Sequence, residues 1–147
     1  MTFEYELKTG PISSATVQEI QRLSERVFGN YFETEGDWRF GHMPDMTVFE
    51  ARSEGALVGF KIGYALTQTR YYSWLGGVVP EYRRDGVAQA LLSEQEERVR
   101  GVGYLRIRVK SMRKFPGMLA LLQTNGYTLV PARGGADSAK LTFEKRL

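Results

Sequence analysis

Residues 71–92, YYSWLGGVVPEYRRDGVAQALL, decide how this chain is read. The first nine, 71–79, are rich in aromatic and β-branched residues and read as a buried strand. From Val87 the apolar residues at 87, 88, 91 and 92 have helical spacing, so a helix opens there. Between the two lie Pro80, which cannot donate to a strand ladder, and then Arg83-Arg84-Asp85-Gly86-Val87-Ala88. The first amides of a helix have no intrahelical acceptor and together carry roughly half a positive charge, so they attract an anion. A strand, a short basic turn with a permissive glycine and a helix start therefore make a site for a phosphate-bearing ligand. Gly86 lets backbone approach such a ligand closely, and Ala88 keeps the first helical turn free of bulk.

Outward from this stretch the pattern is regular. Phe3, Tyr5 and Leu7 alternate with Glu4, Glu6 and Lys8, the mark of a strand with one buried face, and Gly10-Pro11 ends it. Ser13 to Thr16 offers helix caps, and Thr16-x-x-Glu19 matches a capping box ahead of Val17, Ile20, Leu23, Val27 and Phe28 at helical spacing, with Gly29-Asn30 as the stop. Residues 31–44, YFETEGDWRFGHMP, keep no clear period; they have room for a short helix but read best as a surface segment lining something. Residues 47–52 and 56–67 read as strands around the hairpin turn Ser53-Glu54-Gly55. Gly76-Gly77 inside the next strand predicts a bulge that leaves amides unpaired. The helix from Val87 is expected to run to Arg100 and end at Gly101. In the strand expected over 104–110, Leu105, Ile107 and Val109 face one way and Arg106, Arg108 and Lys110 the other. Residues 112–123 form an amphipathic segment with Pro116 in its first turn and Asn125-Gly126 as its cap, residues 127–130 a short strand, 131–138 a Gly-rich loop, and Leu141 and Phe143 belong to a last strand. The order is β-α-(α)-β-β-β-α-β-α-β-β.

Composition narrows the class. A chain of 147 residues, 42% hydrophobic and 25% charged, is expected to be one globular domain over 1–147. No apolar run approaches the roughly 18 residues that cross a bilayer, so the expectation is a cytoplasmic protein without a membrane partner. With no cysteine and one histidine, His42, there is no disulfide, no thiolate nucleophile and no His-based metal site. A formal charge of +3 suits an anionic partner, which could be a nucleotide cofactor or a nucleic acid. The phosphate-loop, G-x-G-x-x-G, H-E-x-x-H and G-x-S-x-G patterns are all missing.

Arg83-x-x-Gly86-x-Ala88 between a strand and a helix resembles the pyrophosphate-binding motif of the GNAT superfamily of acyl-CoA-dependent N-acetyltransferases, and the order of elements is similar to that family over nearly the whole chain. Phe115-Pro116-x-Met118-Leu119 looks like one uncharacterised bacterial branch of it. The resemblance implies an α+β fold: a six- to seven-stranded mixed, mostly antiparallel sheet splayed into a V between its fourth and fifth strands and flanked by about four helices. It implies acetyl-CoA as co-substrate, no metal, and a small-molecule or protein amine as acceptor. By position, backbone of Gly77, Val78 and Val79 would bond the pantetheine arm, and Arg83, Arg84, Asp85, Gly86, Val87 and Ala88 would hold the pyrophosphate. Arg113 takes the place of an asparagine in the family's second cofactor segment.

Two departures from the family pattern bear on catalysis. Leu122 stands where a tyrosine usually serves as general acid, leaving that role empty or to Ser111 or Tyr127. The glutamate many members carry on the fourth strand is also missing, where this chain has Tyr71-Tyr72-Ser73, so the base comes through water or from Glu33, Glu35, Asp37, Tyr72 or His42. The need for one is real, because an amine with a pKa near 10.4 is only about 0.1% neutral at pH 7.4, a cost of about 4 kcal/mol. The acids and rings of residues 31–40 suit a cationic or amine-bearing acceptor. Rival readings are an acyl-CoA-binding sensor without catalysis and, with less support, a nucleic-acid-binding module using Arg106, Arg108, Lys110, Arg113 and Lys114. The oligomeric state is open, a homodimer included.

Overall fold

The computed structural model describes residues 2–29, 35–131 and 140–147, with residues 35–37 described by their backbone alone. Seven strands form one sheet in the order β1-β2-β3-β4-β5-β7-β6. These are β1 (Glu4–Thr9), β2 (Thr47–Ser53), β3 (Ala56–Ala65), β4 (Arg70–Val78), β5 (Arg106–Met112), β6 (Thr128–Val130) and β7 (Lys140–Arg146). The α-helices among the described residues are α1 (Ser14–Phe28), α2 (Glu35–His42), α3 (Val87–Val102) and α4 (Pro116–Thr124). Each strand runs antiparallel to its neighbours except β4 against β5, which is parallel. The α+β fold and its mixed, mostly antiparallel sheet are as expected.

Local chemistry explains most element ends. Ser13, in extended conformation, caps α1 by accepting the Thr16 amide on its Oγ at 3.2 Å. The cap thus lies three residues ahead of the Thr16–Glu19 box read from the sequence. Thr16 is instead buried, with its Oγ1 accepting from Lys8 Nζ at 3.0 Å, and Glu19 reaches across to Arg52 at 2.7 Å. Glu54 and Gly55 both have positive φ, 51° and 82°, which builds the tight hairpin between β2 and β3. α3 runs through Gly101 and stops at Gly103, whose φ of 115° only glycine adopts cheaply. Pro116 opens α4, and the segment 112–115 ahead of it is the end of β5 and a turn closed by Phe115 N donating to Met112 O. α2 occupies part of the segment that had no readable period. Leu105 is exposed and precedes β5, whose inward residues are Ile107 and Val109. The Gly-rich loop at 131–138 lies, but for Pro131, outside the described residues.

The helices lie on both faces. A methyl group on Gly77 would point at Val27 and Phe28 of α1, whereas one on Gly59, one pleat along, would point at Val87 and Leu91 of α3. The buried apolar residues fall into two clusters along the sheet, the first drawing on both faces. One gathers Ile20, Leu23, Val48, Phe60, Ile62 and Leu91; the other gathers Tyr71, Leu92, Val99, Ile107, Leu122 and Phe143. Each fully buried aliphatic or phenylalanine side chain contributes roughly 1.5–3 kcal/mol. Among the described residues no helix is long and apolar enough to cross a membrane.

Candidate functional site

β4 and β5 pair only from Arg70↔Arg106 to Ser73↔Val109. Beyond that fork their ladder ends, so the remainder of β4, residues 74–78, offers an unpaired edge. Because the strands are parallel, the turns that follow them, 83–86 and 112–115, lie at the same end of the sheet and flank the mouth of the V.

Alternation along β4 fixes which peptide groups face into it. Val79 N donates to Val58 O of β3 at 2.9 Å, and Gly59 and Phe60 lie opposite Val78 and Gly77. The N–H and C=O of Gly77 and the N–H of Val79 therefore point at β3, and the N–H and C=O of Gly76 and Val78 point into the V. This corrects the assignment of pantetheine bonds to Gly77, Val78 and Val79: of the three only Val78 faces the cleft, and Val79 has its carbonyl taken as well, by Tyr82 N at 3.0 Å. Gly76, not singled out from the sequence, also faces the cleft. The expected bulge at Gly76-Gly77 is displaced too, since Ile62 pairs with Leu75 and Gly63 with Ser73, leaving Trp74 as the extra residue. That extra residue reverses the parity of every position after it.

The mouth is a tight turn. Arg83 Nε donates to the Val78 carbonyl at 3.2 Å, Arg84 has a φ of 77°, and Gly86 has a φ of 81° with no atom within 4 Å of where a Cβ would stand. A left-handed arginine costs roughly 1–2 kcal/mol and is kept where the surroundings enforce it. The first intrahelical bond of α3 is Ala90 N to Gly86 O at 3.0 Å, so the amides of Val87, Ala88 and Gln89 have no partner within the helix. Val87 is buried and anchors this turn, while Arg83, Arg84, Asp85 and Ala88 are exposed around it. Arg113 is exposed in the turn after β5, on the opposite lip. Gln89 and Asn125 exchange two hydrogen bonds, 2.9 and 2.8 Å, tying α3 to α4, and Phe28 beside Gly77 meets Phe115 edge-on at 5.9 Å. Amides without an intrahelical partner, two arginines and a glycine that a side chain would not crowd are the donor set a diphosphate needs.

The sequence model described as the acetyltransferase (GNAT) family matches residues 17–127. This chain belongs to the GNAT acetyltransferase family. No curated protein matches it closely enough to count as a relative. Among solved structures, the GNAT chain is similar to the PaiA N-acetyltransferase of Thermoplasma acidophilum in complex with coenzyme A, at 14% identity and a TM-score of 0.77 with all of both chains covered. It is also similar to a GNAT family acetyltransferase of Elizabethkingia anophelis with acetyl-CoA bound (11% identity, TM-score 0.74, 99% and 98% covered). The ribosomal-protein-S18-alanine N-acetyltransferase of Escherichia coli follows the same fold (13%, 0.73, 95% and 91%).

The candidate acid and base groups of this GNAT chain are scattered. Glu33 lies outside the described residues, and Glu35 and Asp37 fall in the first turn of α2, where only backbone is described. Tyr72 sits at the fork, one residue before the pairing with β5 ends, with Tyr64 edge-on at 5.4 Å and Lys110 Nζ 5.9 Å above its ring. His42 is exposed at the end of α2, stacked on Trp38 and donating from Nδ1 to the Trp38 carbonyl at 2.7 Å. Leu122 is wholly buried in the second core, and Ser111 is buried in β5. Tyr127 donates to Glu96 at 2.8 Å, and burial beside that carboxylate raises its hydroxyl above the ordinary tyrosine range. Arg106 and Arg108, offered to a nucleic acid by the rival reading, turn onto Glu144 together with Arg70. The largest group the sequence reading passed over is Lys61 of β3, buried at 5% exposure; its signal was a lone charge in the apolar run 56–66.

Proposed function

We propose that this GNAT chain is an N-acetyltransferase that moves an acetyl group from acetyl-CoA to a primary amine by direct attack. The observation that carries the reading is the conjunction of an unpaired β4 edge with a left-handed turn and an uncapped helix start at its end. Arg84, Gly86, Val87, Ala88 and Arg113 would hold the pyrophosphate, with Asp85 at the rim of that turn and Arg83 pinning it to Val78. Gly76 and Val78 would bond the pantetheine arm. Bound, the thioester supplies an activated acyl carbon and a leaving group with a pKa near 8.5. Tyr72, which lies at the fork, and Glu33 and Glu35 would be the groups to take the proton of the amine.

Calorimetry with acetyl-CoA tests the first half. Arg83→Ala combined with Arg84→Ala should weaken binding about tenfold or more, as expected when charge-assisted bonds of about 1.5–3 kcal/mol are lost. Equal affinities would remove the pyrophosphate assignment. The sensor reading keeps one specific support, Leu122 buried in place of a hydroxyl. Release of free thiol from acetyl-CoA in the presence of a panel of primary amines favours the enzyme; tight binding with no release across the panel favours the sensor.

A further inference from the structure

Lys61 lies opposite Gly76 in the β3–β4 ladder and shares its face with Gly59 and Gly63, beneath α3. Its Nζ lies over Gly76, 3.7 Å from the point where a Cβ there would stand. No hydrogen bond or ion pair meets this ammonium among the described residues. Both oxygens of Glu96, the nearest acid acting on it, are already taken by Tyr127 at 2.8 Å and Lys145 at 2.9 Å. Two residues along the same face, at Gly63, Ser73 Oγ and both polar atoms of Gln95 are buried without a protein partner. Ser73 faces Gly63 across the ladder, and Gln95 Nε2 comes within 3.0 Å of the Cβ point of Gly63. Buried groups of this kind are normally satisfied by water. A lysine and three orphaned polar atoms thus surround two glycines on the α3 face, next to the peptide group of Gly76 that opens into the V between its mouth and its fork.

We infer, resting on the reading above, that Lys61 is the proton donor for the departing thiol of the acyl donor, directly or through water held by Ser73 and Gln95. It does the work that Leu122 has no hydroxyl to do. As the amine nitrogen bonds to the acyl carbon and the carbon–sulfur bond breaks, the bonding pair goes to sulfur, which takes a proton from Lys61 Nζ. The proton shed by the amine nitrogen passes to water, and water returns one to the neutral Lys61. Burial lowers the Lys61 ammonium to about 8, with Glu96 of α3 opposing the shift; on its face β2 places Phe49 opposite it and β4 places Gly76 and Ser73, with the one titratable side chain there, Tyr71, bonded to Thr47. That lies close to the ~8.5 of a thiol, the matching that favours general acid catalysis.

Coenzyme A itself is the probe, so the test needs no known acceptor. The ultraviolet absorbance of its thiolate is followed against pH in complexes of the wild type, Lys61→Met and Lys61→Arg, each shown by calorimetry to be saturated. An adjacent ammonium favours thiolate, so the bound thiol should ionise below ~8.5 in the wild type and in Lys61→Arg, and at or above it in Lys61→Met. With an amine found in the panel, both variants should lose about 100-fold or more in kcat at unchanged KM for acetyl-CoA, because a guanidinium keeps its proton. Identical thiol titration in the wild type and Lys61→Met would overturn the assignment, and so would acetyl transfer onto Lys61 itself seen by mass spectrometry. Failure of coenzyme A to bind the wild type would overturn the reading beneath it instead.

Discussion

At the scale of single residues, Lys61 is kept at a cost. Its ordinary pKa of 10.5 falls to about 8, so the folded chain binds fewer protons than the unfolded one between those values and stability rises with pH across that window. The penalty, about 3 kcal/mol, is present in full below pH 8. Lys61→Met should therefore be more stable than the wild type near neutrality by up to about that amount, with the gap closing by about pH 10 in urea melts. Above pH 10 both should weaken, since Tyr71 and Tyr127 are raised well above the ordinary tyrosine value and the unfolded chain releases those protons first. Gly63 makes the opposite case. A methyl there would overlap Tyr71 Cε2 and stand 2.7 Å from the Tyr72 carbonyl, so Gly63→Ala should destabilise by about 1–3 kcal/mol or more in the same melts. The lone lysine among apolar residues 56–66 was visible in the sequence, but where its ammonium ends was not, because that depends on Gly76 across the ladder. Likewise Val78 was legible as a cleft-facing residue but Gly76 was not told apart from Gly77, since alternation carries no mark of the bulge at Trp74.

At the scale of elements, the strands and helices with a clear period were legible, and the errors fall where two capping chemistries compete. Ser13 and Thr16 are both good caps; burial decides between them, because Thr16 is committed to Lys8 beneath the helix and Ser13 is free to turn outward. Ser13→Ala should lower stability by about 1 kcal/mol, read as a drop in urea midpoint at unchanged slope. Gly101 misled in the same way, being tolerated inside α3 while Gly103 supplies the left-handed stop. α2 was legible only as room for a short helix, because eight residues hold too few turns for an apolar stripe to show. The exposed Arg26–Glu81 pair at 2.7 Å joins α1 to the turn after β4, and at such exposure it adds little.

At the scale of the whole molecule, periodicity could not have given the sheet order. The parallel pairing of β4 with β5 depends on a crossover through α3, and its early end at Ser73 depends on nothing local, so both came from the family resemblance. The unpaired edge makes a prediction of its own in hydrogen exchange: acetyl-CoA should slow the amides of Gly76 and Val78 and leave Val79, already bonded to Val58, unchanged. Slowing at Val79 and not at Val78 would show that the parity is wrong.

The four-pair seam has a mechanical meaning. One apolar core lies on each side of it, and beyond the seam α3 is the main span that contributes side chains to both. The chain is bound like a book with a short spine. A guest laid along the gutter rivets the two covers, so the half carrying β5, β6, β7 and α4 gains most in rigidity when it arrives, and gives way first when it leaves.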